Sequence, residues 1–227
     1  MINLENLIKR FPVGDNIFTA LKAVNLHIES GEFTGFVGPS GSGKTTLLNI
    51  IGSLDKPSEG KAVVMGKDVS LLSAKESAEL RNKHIGFIFQ SFNLLPVYSV
   101  YENVEFALLL QKMTGGARHK AVMESLEWTG LVDKKDCRPA QLSGGECQRV
   151  AIARAMVKRP ELVLADEPSA NLDAENSHNI LRAMVRLNEE LGTTFLFATH
   201  DEKVMQYLRR TIRLTDGQIV SDKSKEE

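Results

Sequence analysis

The stretch "GPSGSGKTT", Gly38 to Thr46, constrains the fold of this 227-residue chain more than any other. It fits G-x-x-x-x-G-K-[ST], with Gly38, Gly43, Lys44 and Thr45 in the fixed places. Pro39, Ser40, Gly41 and Ser42 fill the loop, and Thr46 follows it. Ahead of it "GEFTGFVG" reads as a short buried strand. Behind it "TTLLNIIGSL" has helical apolar spacing. In that strand–loop–helix setting the glycines let backbone N–H groups turn inward around a phosphate, and the helix N-terminus adds partial positive charge. Lys44 can reach the β- and γ-phosphates of a nucleotide, and the Thr45 hydroxyl suits Mg²⁺. The bland alternative, a flexible turn with an incidental lysine, does not account for the flanking elements.

A phosphate loop implies a parallel sheet, and the remaining strands are read on that basis. "HIGFIFQ" ends at Gln90, "ELVLADEP" at Asp166-Glu167 and "TTFLFATH" at His200. Strands alternating with helices indicate a parallel α/β core with helices on both faces. The first thirty residues also read as strands. In "AVNLHIES", Val24, Leu26 and Ile28 alternate with Asn25, His27 and Glu29, and Gly14-Asp15-Asn16 supplies a turn before them. Between Gln90 and Leu142 the pattern changes: "SVYENVEFALLLQKM" and "ARHKAVMESLEWTGL" have helical spacing with no strand between them. The expectation is a single unit over residues 1–227. Its core comprises about 1–90 and 151–220, a helical subdomain is inserted at 91–150, and the polar end at 221–227, "SDKSKEE", is frayed.

Bulk properties exclude several partners. A net charge of -1 argues against broad capture of nucleic acid. No run approaches the ~18 apolar residues of a membrane span, so no direct membrane insertion is expected. The start "MINLENLIKRF" has charges where a signal peptide would be apolar. Two cysteines, Cys137 and Cys147, are too few for a disulfide framework and suit a reducing cytoplasm.

Ligands of open parallel sheets bind at the carboxyl ends of the strands. Asp166 fits a residue that holds Mg²⁺ there, and Glu167 could polarise an attacking water as general base. Two solvated acids before a proline turn is the alternative. Gln90 and His200 are weak signals singly, but with the phosphate loop they complete a constellation of strand ends.

"LSGGECQRVAIARA", Leu142 to Ala155, raises a separate question. Ser143 and Glu146 fit the S-x-x-E capping box of a helix start. Gly144 and Gly145 cost roughly 1 kcal/mol each relative to alanine in a first turn. Glycines allow close backbone approach, and hydroxyl, bare N–H groups and helix dipole together make an anion site. Since one phosphate cradle already exists, a second one needs a second phosphate or a second chain.

Taken in order, "GPSGSGKTT", "LSGGECQRVAIARA" and "LVLADEPSANLD" resemble the nucleotide-binding subunit of an ATP-binding cassette (ABC) transporter, over nearly the whole chain. The resemblance implies an α/β P-loop NTPase core of the ABC ATPase type, with N-terminal antiparallel strands and an inserted α-helical subdomain. It implies ATP and Mg²⁺ as cofactors, ATP hydrolysis, and two subunits packed head to tail as a homodimer. Ser143, Gly144 and Gly145 of one subunit would then touch the ATP held by the other. Residue by residue, Phe11 matches an aromatic stacking on adenine, although a core or surface role is the alternative. Gly38 to Thr46 match the phosphate loop. Gln90 matches a loop reaching Mg²⁺ and water, Asp166 the metal-holding residue, Glu167 the base, His200 a γ-phosphate contact and Asp173 a loop crossing the dimer interface.

At Cys147 the family commonly has glutamine. A reactive thiol near a helix N-terminus and a small residue that merely packs are the two readings. In detail the chain looks like the branch of lipoprotein-releasing, macrolide- or peptide-exporting and cell-division ATPases. That resemblance implies an integral membrane permease docking near Phe92–Val104 and a location on the cytoplasmic face of the inner membrane. Phe92, Leu94, Leu95 and Tyr98 either meet that partner or line the subdomain's own core. A soluble ABC-type factor acting in cell division or translation is the alternative. A third is a module that holds ATP without turnover, which would lack Glu167. The cargo is not encoded.

Overall fold

The centre of the structure is "FTGFV", Phe33–Val37 (β3), a strand whose five residues are all buried. The computed structural model describes residues 1–225. Preceding β3 are β1 (Ile2–Val13) and β2 (Asn16–Ile28); following it come α1 (Lys44–Ile51), β4 (Glu59–Val64), β5 (Lys67–Asp68), α2 (Ala74–His84) and β6 (Ile85–Ile88). The chain continues through α3 (Val100–Glu105), α4 (Gly115–Thr129), α5 (Gly144–Met156) and β7 (Leu162–Asp166). It finishes with α6 (Ala174–Leu191), β8 (Thr194–Thr199), α7 (Glu202–Tyr207), β9 (Arg210–Thr215) and β10 (Gln218–Ser224).

These strands form two sheets, one ordered β2-β1-β4-β5 and the other β10-β9-β3-β8-β7-β6. The first is antiparallel throughout. In the second, β9, β3, β8, β7 and β6 run parallel, and only the edge strand β10 is antiparallel. Alternation of side chains sends the two halves of each buried strand to different cores. Phe36, Leu164, Leu196 and Ala198 face α1 and the small sheet. Phe33, Val163, Phe195 and Phe197 face α5 and α6. Helices therefore cover both faces. A third core gathers Val100, Val104, Val122, Leu126 and Val150 from α3, α4 and α5. Helix α5 thus packs on the sheet with one side and on the helical layer with the other.

Three expectations need correction. The strand before Gln90 ends at Ile88, two residues short of it. "SVYENVEFALLLQKM" is not one helix, because α3 stops at Glu105 and gives way to a 3₁₀ turn over Phe106–Leu108. Residues 221–224 are not frayed: they complete β10, with Asp222 opposite Ile212 and its carboxylate paired to Arg210. The expected end at 226–227 lies outside the described residues. Of the two readings of Cys147, packing is the one that holds: the residue is buried, its Sγ directed at the Pro139 carbonyl at 3.7 Å, and burial raises its thiol pKa. The helix dipole does not offset that burial, so Cys147 is a packing residue.

Candidate functional site

The phosphate loop leaves β3 at Gly38 and enters α1 at Lys44. Gly38 has φ 152°, and a Cβ there would lie 2.1 Å from the Leu214 carbonyl oxygen of β9. Gly43, with φ 101°, caps α1 in the left-handed region without a side-chain cap. Only glycine tolerates both demands at low cost. The turn after β9 holds the loop from behind, since Gly217 N–H donates to the Ser42 carbonyl at 3.1 Å and its own carbonyl accepts from Lys22. The Ser42 hydroxyl is buried with no hydrogen-bond partner. Lys44 is buried too, its ammonium donating to the Gly38 and Pro39 carbonyls at 2.8 and 2.9 Å. Burial lowers its pKa, against the pull of Glu167 and Asp166.

Three elements converge beside the loop, namely α1, β7 and β8. Thr45 Oγ1 at the start of α1 donates to Asp166 Oδ1 at the end of β7, 3.1 Å away. Burial raises the Asp166 pKa, with the Glu167 charge adding to it and the Thr45 bond and Lys44 opposing. These two adjacent oxygens form a donor set of the kind Mg²⁺ takes, namely hard oxygen ligands. Next to Asp166, Glu167 adopts φ 46°, unusual for a residue with a Cβ and costing on the order of 1 kcal/mol. Its N–H is held by the Ala198 carbonyl at 2.9 Å. That left-handed step turns Glu167 away from Asp166 and towards β8. There Thr199 Oγ1 donates to one carboxylate oxygen at 3.1 Å and His200 Nδ1 meets the other at 2.7 Å.

The cleft over the loop is lined by Phe11, Phe18, Gly41, Gly43, Lys44, Thr45 and Thr46 and has a volume of about 200 Å³. Phe11 and Phe18 are cross-strand partners of β1 and β2, and Lys9 Nζ lies 4.8 Å from the Phe11 ring centroid. Pro39 and Ser40 are exposed at the loop tip.

Gln90 is exposed, and its carbonyl accepts from Asn171 Nδ2 at 2.8 Å. Beyond it, Phe92 and Asn93 both have positive φ, 60° and 50°. The Arg154 guanidinium of α5 bridges their two carbonyls, at 2.7 and 2.5 Å.

Ser143, Gly144 and Gly145 are not brought to the cleft. The Ser143 side chain caps α5 by accepting from Glu146 N–H, and Glu146 answers from its carboxylate. Ser143 and Gly144 are exposed, whereas Gly145 is buried against α6, where a Cβ would fall 2.6 Å from Asn176 Oδ1. Gly145 therefore has a packing reason within one chain that the sequence did not reveal. Asp173 likewise caps α6 through Asn176 N–H at 2.8 Å. Phe18, Asn171, Arg154, Thr199 and Gly217 escaped sequence reasoning because each acts through a neighbour distant in the chain.

A profile of the ABC transporter family matches residues 21–170, which hold the phosphate loop, the "LSGGE" helix start and the Asp166-Glu167 strand end. The chain belongs to the ABC transporter family. As a member it is an ATPase of the P-loop NTPase fold. Among similar proteins, the ABC transporter ATP-binding protein MJ0796 of Methanocaldococcus jannaschii is 44% identical over 96% of this chain and 95% of its own. The macrolide export ATP-binding/permease protein MacB of Bordetella avium is 43% identical over 99% of this chain. The ABC cassette described here spans only 34% of that exporter's length. A dimeric post-hydrolysis structure of the MJ0796 cassette, bound to ADP and Pi, superposes with TM-score 0.93 at 42% identity and complete coverage of both chains. The cbiO1 structure from Clostridium perfringens, part of the ABC transporter complex cbiONQ, gives TM-score 0.88 at 32% identity, covering 98% and 88% of the two chains.

Proposed function

We propose that two copies of this ABC cassette clasp two ATP molecules with Mg²⁺ between them, and that closing and reopening drives a permease in the membrane. One observation carries this reading. The cleft over the phosphate loop is about 200 Å³ and takes no residue from α5, while Ser143 and Gly144 stand exposed elsewhere on the surface. Sites for ligands of this size are usually 300–1,000 Å³, so one chain presents half a site. The Ser143 oxygen caps its own helix by accepting, which leaves the hydroxyl proton to donate to a partner's phosphate.

The chain's own residues divide the work as follows. Phe11 stacks on the adenine, opposite the face taken by Lys9. Gly38 to Thr46 wrap the phosphates, with Lys44 moving from loop carbonyls to phosphate oxygens. Thr45, Asp166 and Gln90 hold the metal, which supplies charge neutralisation on the phosphates when bound. Glu167 accepts the proton of the attacking water, with His200 and Thr199 orienting its carboxylate. Asp173 crosses the interface.

Moving an equilibrium from 1:99 to 99:1 takes about 5.5 kcal/mol of differential binding. Charge-assisted hydrogen bonds contribute about 1.5–3 kcal/mol each, so a few donors from each Ser143–Gly145 segment suffice to close the dimer. Among the described residues no helix is long and apolar enough to cross a membrane; the membrane part would belong to the permease, on its cytoplasmic face. Leu94 packs into the helical core, whereas Val97 and Tyr98 are exposed, with Tyr98 resting against Phe106. The docking surface would therefore begin at the exposed part of residues 92–104. MacB relatives favour macrolide or peptide export among the cargoes of this branch.

Mixing Lys44→Ala and Ser143→Arg chains tests the composite site. Each homodimer would be inactive, but the mixed dimer holds one intact site and should regain phosphate release. Failure to regain any activity in a mixture shown to contain heterodimer would refute the arrangement.

A further inference from the structure

The two carboxylate oxygens of Glu167 are held unequally. Oε1 faces His200, whose side chain is 61% exposed. Oε2 accepts from the hydroxyl of Thr199, which is fully buried. The inner contact is therefore the one that fixes the carboxylate, and it depends on where a single hydroxyl proton points. The Thr199 oxygen is not free to turn. It accepts the Asp201 N–H at 3.0 Å, which leaves its own proton to Glu167.

Asp201 is itself fixed at both carboxylate oxygens. Oδ1 caps α7 by accepting from the Lys203 N–H at 2.9 Å. Oδ2 accepts from the Ser169 hydroxyl at 2.8 Å, and Ser169 is buried. A hydroxyl that donates to a carboxylate makes a stronger bond than a neutral pair. Capping α7 uses Oδ1 alone and leaves the Ser169 bond unexplained. Ser169 follows Glu167 closely in the loop that runs to Asp173. That loop is a compact turn: the Glu167 carbonyl accepts from the Ala170 N–H at 3.2 Å and the Ser169 carbonyl from the Leu172 N–H at 3.0 Å. A ring is thus closed between the ends of β7 and β8, from Ser169 to Asp201, from Asp201 to Thr199 and from Thr199 to Glu167. Neither Ser169 nor Asp201 lines the cleft over the phosphate loop, so both act through Glu167 rather than on the nucleotide.

Resting on the reading that Glu167 is the base of a site shared by two copies, we propose that Ser169 and Asp201 are positioning residues, which hold Glu167 in its working orientation from the loop leading to Asp173. That loop is the segment assigned to the dimer interface. Contact with a second copy therefore bears on the base of the same chain through the ring. The action stays within one chain: Ser169 serves its own Glu167, not the base of the partner.

The test uses the mixed dimer formed from Lys44→Ala and Ser143→Arg chains. Its working Glu167 belongs to the Ser143→Arg chain, which alone keeps Lys44. Ser169→Ala added to that chain should lower kcat about tenfold, since misplacing a reacting group by ~1 Å can cost about a hundredfold. KM for ATP should change little. The same substitution in the Lys44→Ala chain, whose own base is idle, should leave phosphate release at the parent level, which also shows that the variant folds and dimerises. In the ordinary homodimer, Ser169→Ala should add nothing to the loss caused by Thr199→Val, because both break one ring. Full activity with Ser169→Ala in the Ser143→Arg chain overturns the proposal. So does an equal loss from either chain, which would be a structural effect, and so do losses that multiply in the double variant. Loss from the Lys44→Ala chain alone overturns it by making Ser169 act across the interface. A parent mixed dimer that regains no activity refutes the shared site, and wild-type turnover in Glu167→Gln refutes the base; each takes the proposal with it, and each is read before Ser169 is changed.

Discussion

His200 Nδ1 lies 2.7 Å from Glu167 Oε1, and the two residues come from the ends of adjacent strands. The left-handed φ of Glu167 makes the contact possible by turning its side chain out of line with Asp166. One strand end thus presents two carboxylates with different partners, Thr45 for Asp166 and Thr199 with His200 for Glu167.

Glu167→Gln keeps the shape and the Thr199 contact but removes the proton acceptor. Turnover should fall by about 10²–10⁴-fold, with ATP-dependent dimers retained on size exclusion. Wild-type rates of phosphate release in the variant would remove Glu167 from the role of base.

Gly144 and Gly145 should separate by the role of each. A Cβ on Gly145 meets Asn176 Oδ1 at 2.6 Å, and Asn176 is itself tied to Asp173. Gly145→Ala should cost roughly 1–3 kcal/mol by overpacking, read from urea unfolding. A Cβ on Gly144 meets the Asn171 carbonyl oxygen at 3.5 Å and Leu172 Cδ2 at 3.9 Å, both ordinary contacts. Gly144→Ala should therefore unfold at or above the wild-type midpoint while losing ATP-dependent dimerisation. Equal stability losses in the two variants would contradict this division.

Arg154→Lys keeps a positive charge but cannot bridge two carbonyls as a planar guanidinium does. Phe92 and Asn93 would lose the clamp that holds their left-handed turns, and the Gln90 loop would loosen. Because Gln90 is assigned to the metal and water and not to the base or sugar, kcat should drop several-fold with little change in KM for ATP. A change confined to KM would show that the clamp serves nucleotide capture instead.

The depressed Lys158 pKa has a definite sign in stability. Its folded value, about 8, lies below the ordinary 10.5. Between those two pH values the unfolded chain holds the extra proton, so folding gains stability as pH rises; below the folded value both states are charged and the contribution is flat. The urea midpoint of wild type relative to Lys158→Met should climb from pH 8 to pH 10 and stay level from pH 6.5 to 7.5. A difference independent of pH across the whole range would mean that the ammonium titrates alike in both states.

What the sequence determined by itself was everything encoded over short spacings. The phosphate loop between β3 and α1, the capping box at Ser143, the alternation of β2 and the positions of Asp166, Glu167 and His200 at or just beyond strand ends were all readable. They rest on hydrogen bonds and side-chain periods that close within a few residues. The same reasoning stopped where partners are remote. Residues 221–224 are polar throughout, yet β9 makes them a strand. Cys147 sits in the first turn of a helix, yet packing buries its sulfur. Gly145 is excluded from bearing a Cβ by a residue on another helix. Lys158, just beyond α5, donates to the Arg81 carbonyl of α2, 77 residues away in the chain. Those features depend on which surfaces the folded chain presses together. Burial, desolvation and steric exclusion are properties of that three-dimensional contact, and no local pattern encodes them.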